Sequence, residues 1–263
     1  MKNDTVPEQK ISRWRKFQRL CRESLDIAIL QSQIARLLPA GNNAPDIFRR
    51  LNHISRQIRC AHNPSHALAF ILDMLSAPRN EPGCFVEAGC FKGGSTAKFS
   101  VIAKMLNREL VIFDSFEGLP DNREAHVQSL QGHSIEGWFA GGAFYGALDE
   151  VKKNISDYGE ISVCHFIKGY FDETMPHFTR PVLSGFLDVD LASSTKSCLK
   201  YLFPLLVKGG VLCSQDGDFP LVREVFSDAA FWRDEVGVTP PPPIIGLGEK
   251  ITRIRKPAAR EQP

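Results

Sequence analysis

The sequence predicts a doubly wound α/β fold: a mostly parallel sheet behind an N-terminal helical extension. Three observations carry that prediction. From residue 84 onward, short apolar runs alternate with helical patterns, as parallel strands alternate with their crossover helices. Those runs are short and apolar and do not alternate with polar residues, so both of their faces should be covered. The first run then passes through an acid and a glycine turn into Ser-Thr, in the order Cys84-Phe85-Val86-Glu87-Ala88-Gly89-Cys90-Phe91-Lys92-Gly93-Gly94-Ser95-Thr96. That order frees backbone N–H groups at the start of a helix beside a strand end, where α/β proteins build their small-molecule pockets.

The chain has 263 residues, 43% apolar and 24% charged, enough for one α/β domain with extensions. Its net charge of +2 gives no bulk attraction for nucleic acid, and none is expected as a partner. The first 60 residues do carry excess Lys and Arg. A solvated helix accounts for this, and a dock for an acidic partner or a membrane surface is the sharper alternative. Seven cysteines are scattered without a Cys-x-x-Cys pair. They read as reduced thiols rather than a disulfide frame or a zinc site. With no N-terminal apolar run and no integral membrane segment, the expected location is cytoplasmic.

Taken in order, residues 1–10 are expected to be loose. Trp14, Phe17, Cys21, Leu25 and Ala28 share one helical face, so an amphipathic helix should run to Pro39. Two more helices are expected over 46–60 and 66–75, ended by the Pro78 to Gly83 segment. Strand 84–87 precedes helix 95–106, and strand 109–114 precedes a loop to about residue 146. Helix 147–158 then precedes strand 162–167, strand 185–190 precedes helix 194–207, and strand 211–214 precedes helix 221–231. The prolines at 240–243 form a stiff connector, and the Ile/Arg alternation over 250–255 reads as an edge strand. The division is an extension over 1–82, a main domain over 83–256 and a disordered tail over 257–263.

The glycine spacing in the opening turn is G-x-x-x-G-G, not the G-x-G-x-x-G of a dinucleotide site. Glu87 in front of it would repel a pyrophosphate but can pair with an ammonium. S-adenosylmethionine (SAM) has an ammonium and a sulfonium and no phosphate. Asp114 ends the second strand, 27 residues after Glu87, where an acid can accept both ribose hydroxyls. Asp188 and Asp190 end the fourth strand, and Asp216 and Asp218 follow the fifth. Carboxylates converging at one sheet edge repel unless a cation lies between them, and hard oxygen donors favour Mg²⁺ over zinc. Such a cation would acidify a substrate hydroxyl, with a carboxylate taking its proton. Capping of helices by these acids is the plainer alternative.

Several stretches together resemble the macrocin O-methyltransferase (TylF-type) family. They are the opening turn, Val111-Ile112-Phe113-Asp114-Ser115-Phe116-Glu117-Gly118-Leu119-Pro120, Gly169-Tyr170-Phe171, and Asp188-Val189-Asp190-Leu191. The resemblance implies a Rossmann-like class I fold that transfers the SAM methyl to a hydroxyl of a sugar or other small-molecule acceptor, with Mg²⁺. It implies that Glu87, Gly89, Gly93 and Ser95 border the methionine part of SAM. Asp114 would hold the ribose beside Ser115, and Tyr170 and Phe171 would lie near the adenine. Asp190 would be both metal ligand and base, and Asp216 a second ligand. Gln215 stands where the family has another Asp; either it offers its carbonyl oxygen or Asp218 substitutes. Ala192-Ser193 replaces the family's Tyr-Glu, which suggests an acceptor other than the antibiotic sugars. The glycine- and aromatic-rich loop over 121–146 is expected to be a lid over the acceptor, with His133 an auxiliary base. A homodimer is expected. The competing readings are a nicotinamide-dependent oxidoreductase and a non-catalytic SAM-fold docking protein.

Overall fold

The computed structural model describes residues 13–257. The expected loose segment at 1–10 and all but the first residue of the 257–263 tail lie outside them. Three helices come first: α1 (Arg13–Leu37), α2 (Ala44–Gln57) and α3 (Pro64–Ser76). Proline in the first turn of α2 and of α3 fits where no N–H donor is needed. The buried face of α1 differs from the expected one. Ile27, Leu30 and Ile34 turn inward, whereas Cys21, Leu25 and Ala28 are exposed. The side chains of Trp14 and Phe17 lie outside the described residues. The inward stripe is the one that lies against α3, and tertiary packing has chosen between two apolar faces.

The main unit alternates β1 (Cys84–Ala88), α4 (Gly94–Met105), β2 (Leu110–Asp114), α5 (Leu148–Tyr158), β3 (Cys164–Lys168), α6 (Phe171–Thr174), β4 (Val182–Leu187), α7 (Ala192–Leu205), β5 (Leu206–Ser214) and α8 (Pro220–Ser227). A short helix α9 (Ala229–Phe231), a π-helical turn and the strands β6 (Ile244–Ile245) and β7 (Thr252–Arg255) complete it. The sheet order is β3-β2-β1-β4-β5-β7-β6. β1 pairs in parallel with β2 and β4, so the order reverses at β1, and only the β5–β7 and β7–β6 pairs are antiparallel. Ligands of doubly wound sheets bind at that reversal, outside the carboxyl ends of the strands.

Four local expectations change. The strand over 250–255 is not an edge: β7 lies between β5 and β6, with Thr252 and Ile254 buried. The helix over 221–231 breaks at Asp228, whose Oδ1 accepts the N–H groups of Ala230 and Phe231 and restarts it. β4 ends at Leu187, which places Asp188 and Asp190 past the strand, on the turn into α7. The short helix α6 was not foreseen.

Two hydrophobic clusters flank the sheet. One joins the extension to it, since Ile34, Leu51 and Phe70 share that cluster with Phe85, Phe99 and Phe186. A buried ion pair fastens the same interface. Arg253 Nε on β7 donates to both Asp73 oxygens on α3 (3.0 and 2.8 Å), and Nη2 donates to the Ala69 carbonyl. Truncating one partner of a buried pair strands the other charge. Asp73→Ala should therefore lower stability by about 3 kcal/mol, read as a lower urea midpoint at unchanged slope.

Candidate active site

The carboxyl ends of β1, β2 and β4 open onto one cavity of about 770 Å³, closed on its other sides by α3, the loop after β2 and Lys250. At the centre lies Gly89, with φ +82°, the left-handed region that glycine enters at no steric cost. A Cβ there would meet the Asp188 carbonyl oxygen at 2.0 Å. Gly93, with φ +81°, then turns the chain into α4.

One half of the cavity suits a nucleoside. Asp114 Oδ2 accepts the Cys90 N–H (2.7 Å) and Oδ1 the Phe116 N–H (2.7 Å), which fixes the carboxylate and leaves lone pairs facing the cavity. Ser115 Oγ accepts the Glu117 N–H and donates to the Gly118 carbonyl, holding the turn behind Asp114. Tyr170 and Phe171 provide an aromatic wall, and Ser95 lines the opposite end at the start of α4. An acid for a diol, a ring for stacking and helix N–H groups for a carboxylate match the chemical parts of SAM.

The other half is acidic. Asp188, Asp190 and Asp216 bring carboxylate oxygens within 4.8 Å of one another. Asp216 is fully buried, its Oδ2 accepting the N–H groups of Val189 (3.0 Å) and Asp190 (2.9 Å). Burial and the Asp188 charge push its pKa up to about 7, against Lys250 and those N–H groups. Asp188 goes the other way: burial opposes its charge, but His62, Lys250 and Gln215 outweigh that and hold it below the usual range. Asp190 is pushed well up by burial, Asp216 and Asp188, with Lys250 the opposing charge. Its φ of +59° is uncommon for a residue with a side chain, and such backbone clusters at functional sites.

The matched family model is the macrocin-O-methyltransferase (TylF) model, over residues 74–246. The chain belongs to the TylF family. It is a SAM-dependent O-methyltransferase. Among solved structures it is similar to the O-methyltransferase NovP (19% identity over 90% of this chain and 98% of that one, TM-score 0.56). It is also similar to the calicheamicin methyltransferase CalS11 (17%, 96% and 98%, TM-score 0.59). A third is the S-adenosylhomocysteine (SAH)-bound methyltransferase PaMTH1 of Podospora anserina (13%, 96% and 98%, TM-score 0.54). These likenesses carry the Rossmann-like fold. Comparison with curated proteins gives no match.

Against the residues expected from sequence, Gly89, Ser95, Asp114, Ser115, Tyr170, Phe171, Asp190 and Gln215 all line the methyltransferase cavity. Four do not. Asp216 lies just beneath it, and Gly93 acts through the turn. Glu87 is fully buried below the turn, and its oxygens have no hydrogen-bond partner among the described residues. Burial raises its pKa to about 8, and the hydroxyls of Ser95 and Thr96 oppose this only in part. His133 is exposed on the loop and away from the cavity. Asp190 does not cap α7, because Glu124 does. Its oxygens accept the N–H groups of Ala192 (2.7 Å) and Ser193 (2.9 Å) and the Ser193 hydroxyl (2.6 Å).

Other cavity residues carried no clear signal in the sequence. His62, two residues before α3, and His66, in its first turn, enter from the extension. His62 Nδ1 lies 3.6 Å from Asp188 Oδ2, and burial lowers the pKa of His66 to about 4, so it is neutral at physiological pH. Lys250 enters from the turn before β7. The loop after β2 is tied down rather than free. Besides Glu124, Asn122 Nδ2 donates to the Phe139 carbonyl (2.8 Å) and the Leu130 N–H to the Asp218 carbonyl (2.8 Å). Trp138, Phe139 and Phe144 from this loop line the cavity, Phe144 against Phe91 of the glycine turn and Phe139 against Phe219.

Burial works against the charge on Glu124, but His126 and the α7 donors hold its pKa down to about 2, below the ordinary 4.5. A depressed acid stabilises above its unfolded pKa, so this anchor is complete above about pH 4.5 and is lost as the pH falls through about 2. Glu124→Gln should cost about 1 kcal/mol, as loss of a good N-cap does. Hydrogen exchange at neutral pH should then quicken across residues 121–146 and the first turn of α7, and not in the sheet.

Proposed function

We propose that this methyltransferase moves the SAM methyl to a hydroxyl of a small-molecule acceptor seated under the Trp138–Phe139–Phe144 roof, with Asp190 as the base. The observation that carries this reading is the contrast among the acids beside the donor half. Asp188 is tied to His62 (3.6 Å) and to the Gln215 amide (2.7 Å), whereas Asp190 lines the cavity with no hydrogen bond to its carboxylate among the described residues. SAM, when bound, supplies a methyl electrophile. Asp114 would hold its ribose, Tyr170 and Phe171 its adenine, and the start of α4 its carboxylate. Asp190 takes the hydroxyl proton as the acceptor oxygen approaches, and the aromatic roof excludes water and orients the acceptor.

A divalent cation is part of this reading. The donor set fits one: three carboxylates gather hard oxygens within 4.8 Å, and Gln215 Oε1 is buried with no hydrogen-bond partner among the described residues. Asp190, Asp216 and Gln215 would hold it, and its chemistry there is Lewis-acid lowering of the hydroxyl pKa. Glu87 is assigned a structural role below the donor turn.

The test is turnover, followed as SAH release with a panel of sugar and phenolic hydroxyl acceptors. Asp190→Asn should lower kcat by at least about 100-fold at unchanged SAM affinity. Chelation with EDTA should slow the wild type, and added Mg²⁺ should restore it. Full turnover by Asp190→Asn would remove the base role, and full turnover in EDTA would remove the cation.

A further inference from the structure

Lys250 is a positive charge placed where the cation reading needs one. Its Nζ lies 3.8 Å from Asp216 Oδ1 and 3.4 Å from Asp218 Oδ1. It also lies 4.1 Å from the centroid of the Phe219 ring, a distance at which the ring face attracts an ammonium. Its stem lines the cavity, and it lowers the proton affinity of both Asp190 and Asp216. Lys250 falls outside the segment that matches the family model, residues 74–246. A second neighbour points the same way. Gln215 Nε2 donates to Asp188 Oδ1 (2.7 Å) and Asp216 Oδ1 (3.1 Å), and its buried Oε1 is left unpartnered. The inner oxygen of Asp216 is thus shared by an amide and an ammonium, while its outer oxygen is held by backbone N–H groups.

We propose that Lys250 is a resident cation of the Asp188–Asp190–Asp216 cluster and competes with a divalent ion for it. This inference rests on the cation reading of the proposed function and names what governs that site. With Lys250 seated at Asp216, an entering dication meets a like charge a few ångströms away. The ammonium is shared, 3.4 Å from Asp218 Oδ1 and 3.8 Å from Asp216 Oδ1, so it keeps the nearer Asp218 carboxylate when an ion takes Asp216. Rotation of the Gln215 amide then turns Oε1, the atom without a partner, toward the ion. Ion occupancy is therefore set by a balance between two cations, one of them covalently part of the chain.

The experiment titrates Mn²⁺ into the full chain without SAM, reading free Mn²⁺ by electron paramagnetic resonance, for the wild type, Lys250→Met, Lys250→Gln and Lys250→Arg. Calorimetric titration with SAM on each variant reports that the fold and donor half are intact. A unit charge about 4 Å away in an effective dielectric near 20 outweighs a tenfold change in binding, so the neutral variants should bind Mn²⁺ at least about tenfold more tightly than the wild type. Lys250→Arg, which keeps the charge, should bind like the wild type. Adding Asp190→Asn to Lys250→Met should abolish the gain. Equal or weaker Mn²⁺ binding by both neutral variants would overturn the proposal, as would Lys250→Arg binding as tightly as they do. No Mn²⁺ binding by any variant, with the SAM heat retained, would overturn both the competition and the cation reading while leaving the methyl-donor reading standing.

Discussion

Gly89 is packed against the carbonyl of Asp188 so closely that a Cβ would sit 2.0 Å from the oxygen. Its own N–H donates to the Phe113 carbonyl (2.9 Å), one residue before Asp114, and the Asp188 N–H donates to the Ala88 carbonyl (3.0 Å). One residue without a side chain therefore registers three strand ends. It sets Asp114 on one side of the turn and the acidic edge on the other. The distance between a donor methyl and an acceptor oxygen is decided by that registration, because misplacement by an ångström costs orders of magnitude in rate.

The second constraint is charge. Carboxyl groups gathered in a buried crevice cannot all be ionised without compensation, since each pair costs several kcal/mol at an effective dielectric near 20. The compensation here comes from far along the chain: His62 at the start of α3, Gln215 at the end of β5, Lys250 before β7 and the backbone N–H groups of Val189 and Asp190. Asp190 receives the least of it. The uneven distribution, rather than the number of acids, sets Asp190 apart from Asp188. The same economy appears at α7, where an acid 68 residues upstream, Glu124, does the capping expected of a local acid.

The fold was legible because strand and helix alternation is a local property, and the donor half was legible because its residues sit at fixed offsets from strand ends. Asp114 and the glycines of the first turn belong to that class. The acidic half was legible only as a set of acids. Which of them is charged depends on Lys250 and His62, which no spacing rule connects to residue 190. The face of α1 was misread because two apolar stripes competed, and Ile34 won by packing on α3. Asp190 was given a capping alternative that Glu124 fills instead, and β7 was placed at an edge because β6, with two residues, is too short to leave a pattern.

The most direct test of this account is a calorimetric titration of the wild type and Gly89→Ala with SAM and with NAD. The account predicts one SAM site per chain, no heat with NAD, and loss of SAM binding in Gly89→Ala while the variant keeps its far-ultraviolet circular dichroism. Heat with NAD and none with SAM would contradict it, as would wild-type SAM affinity in a folded Gly89→Ala.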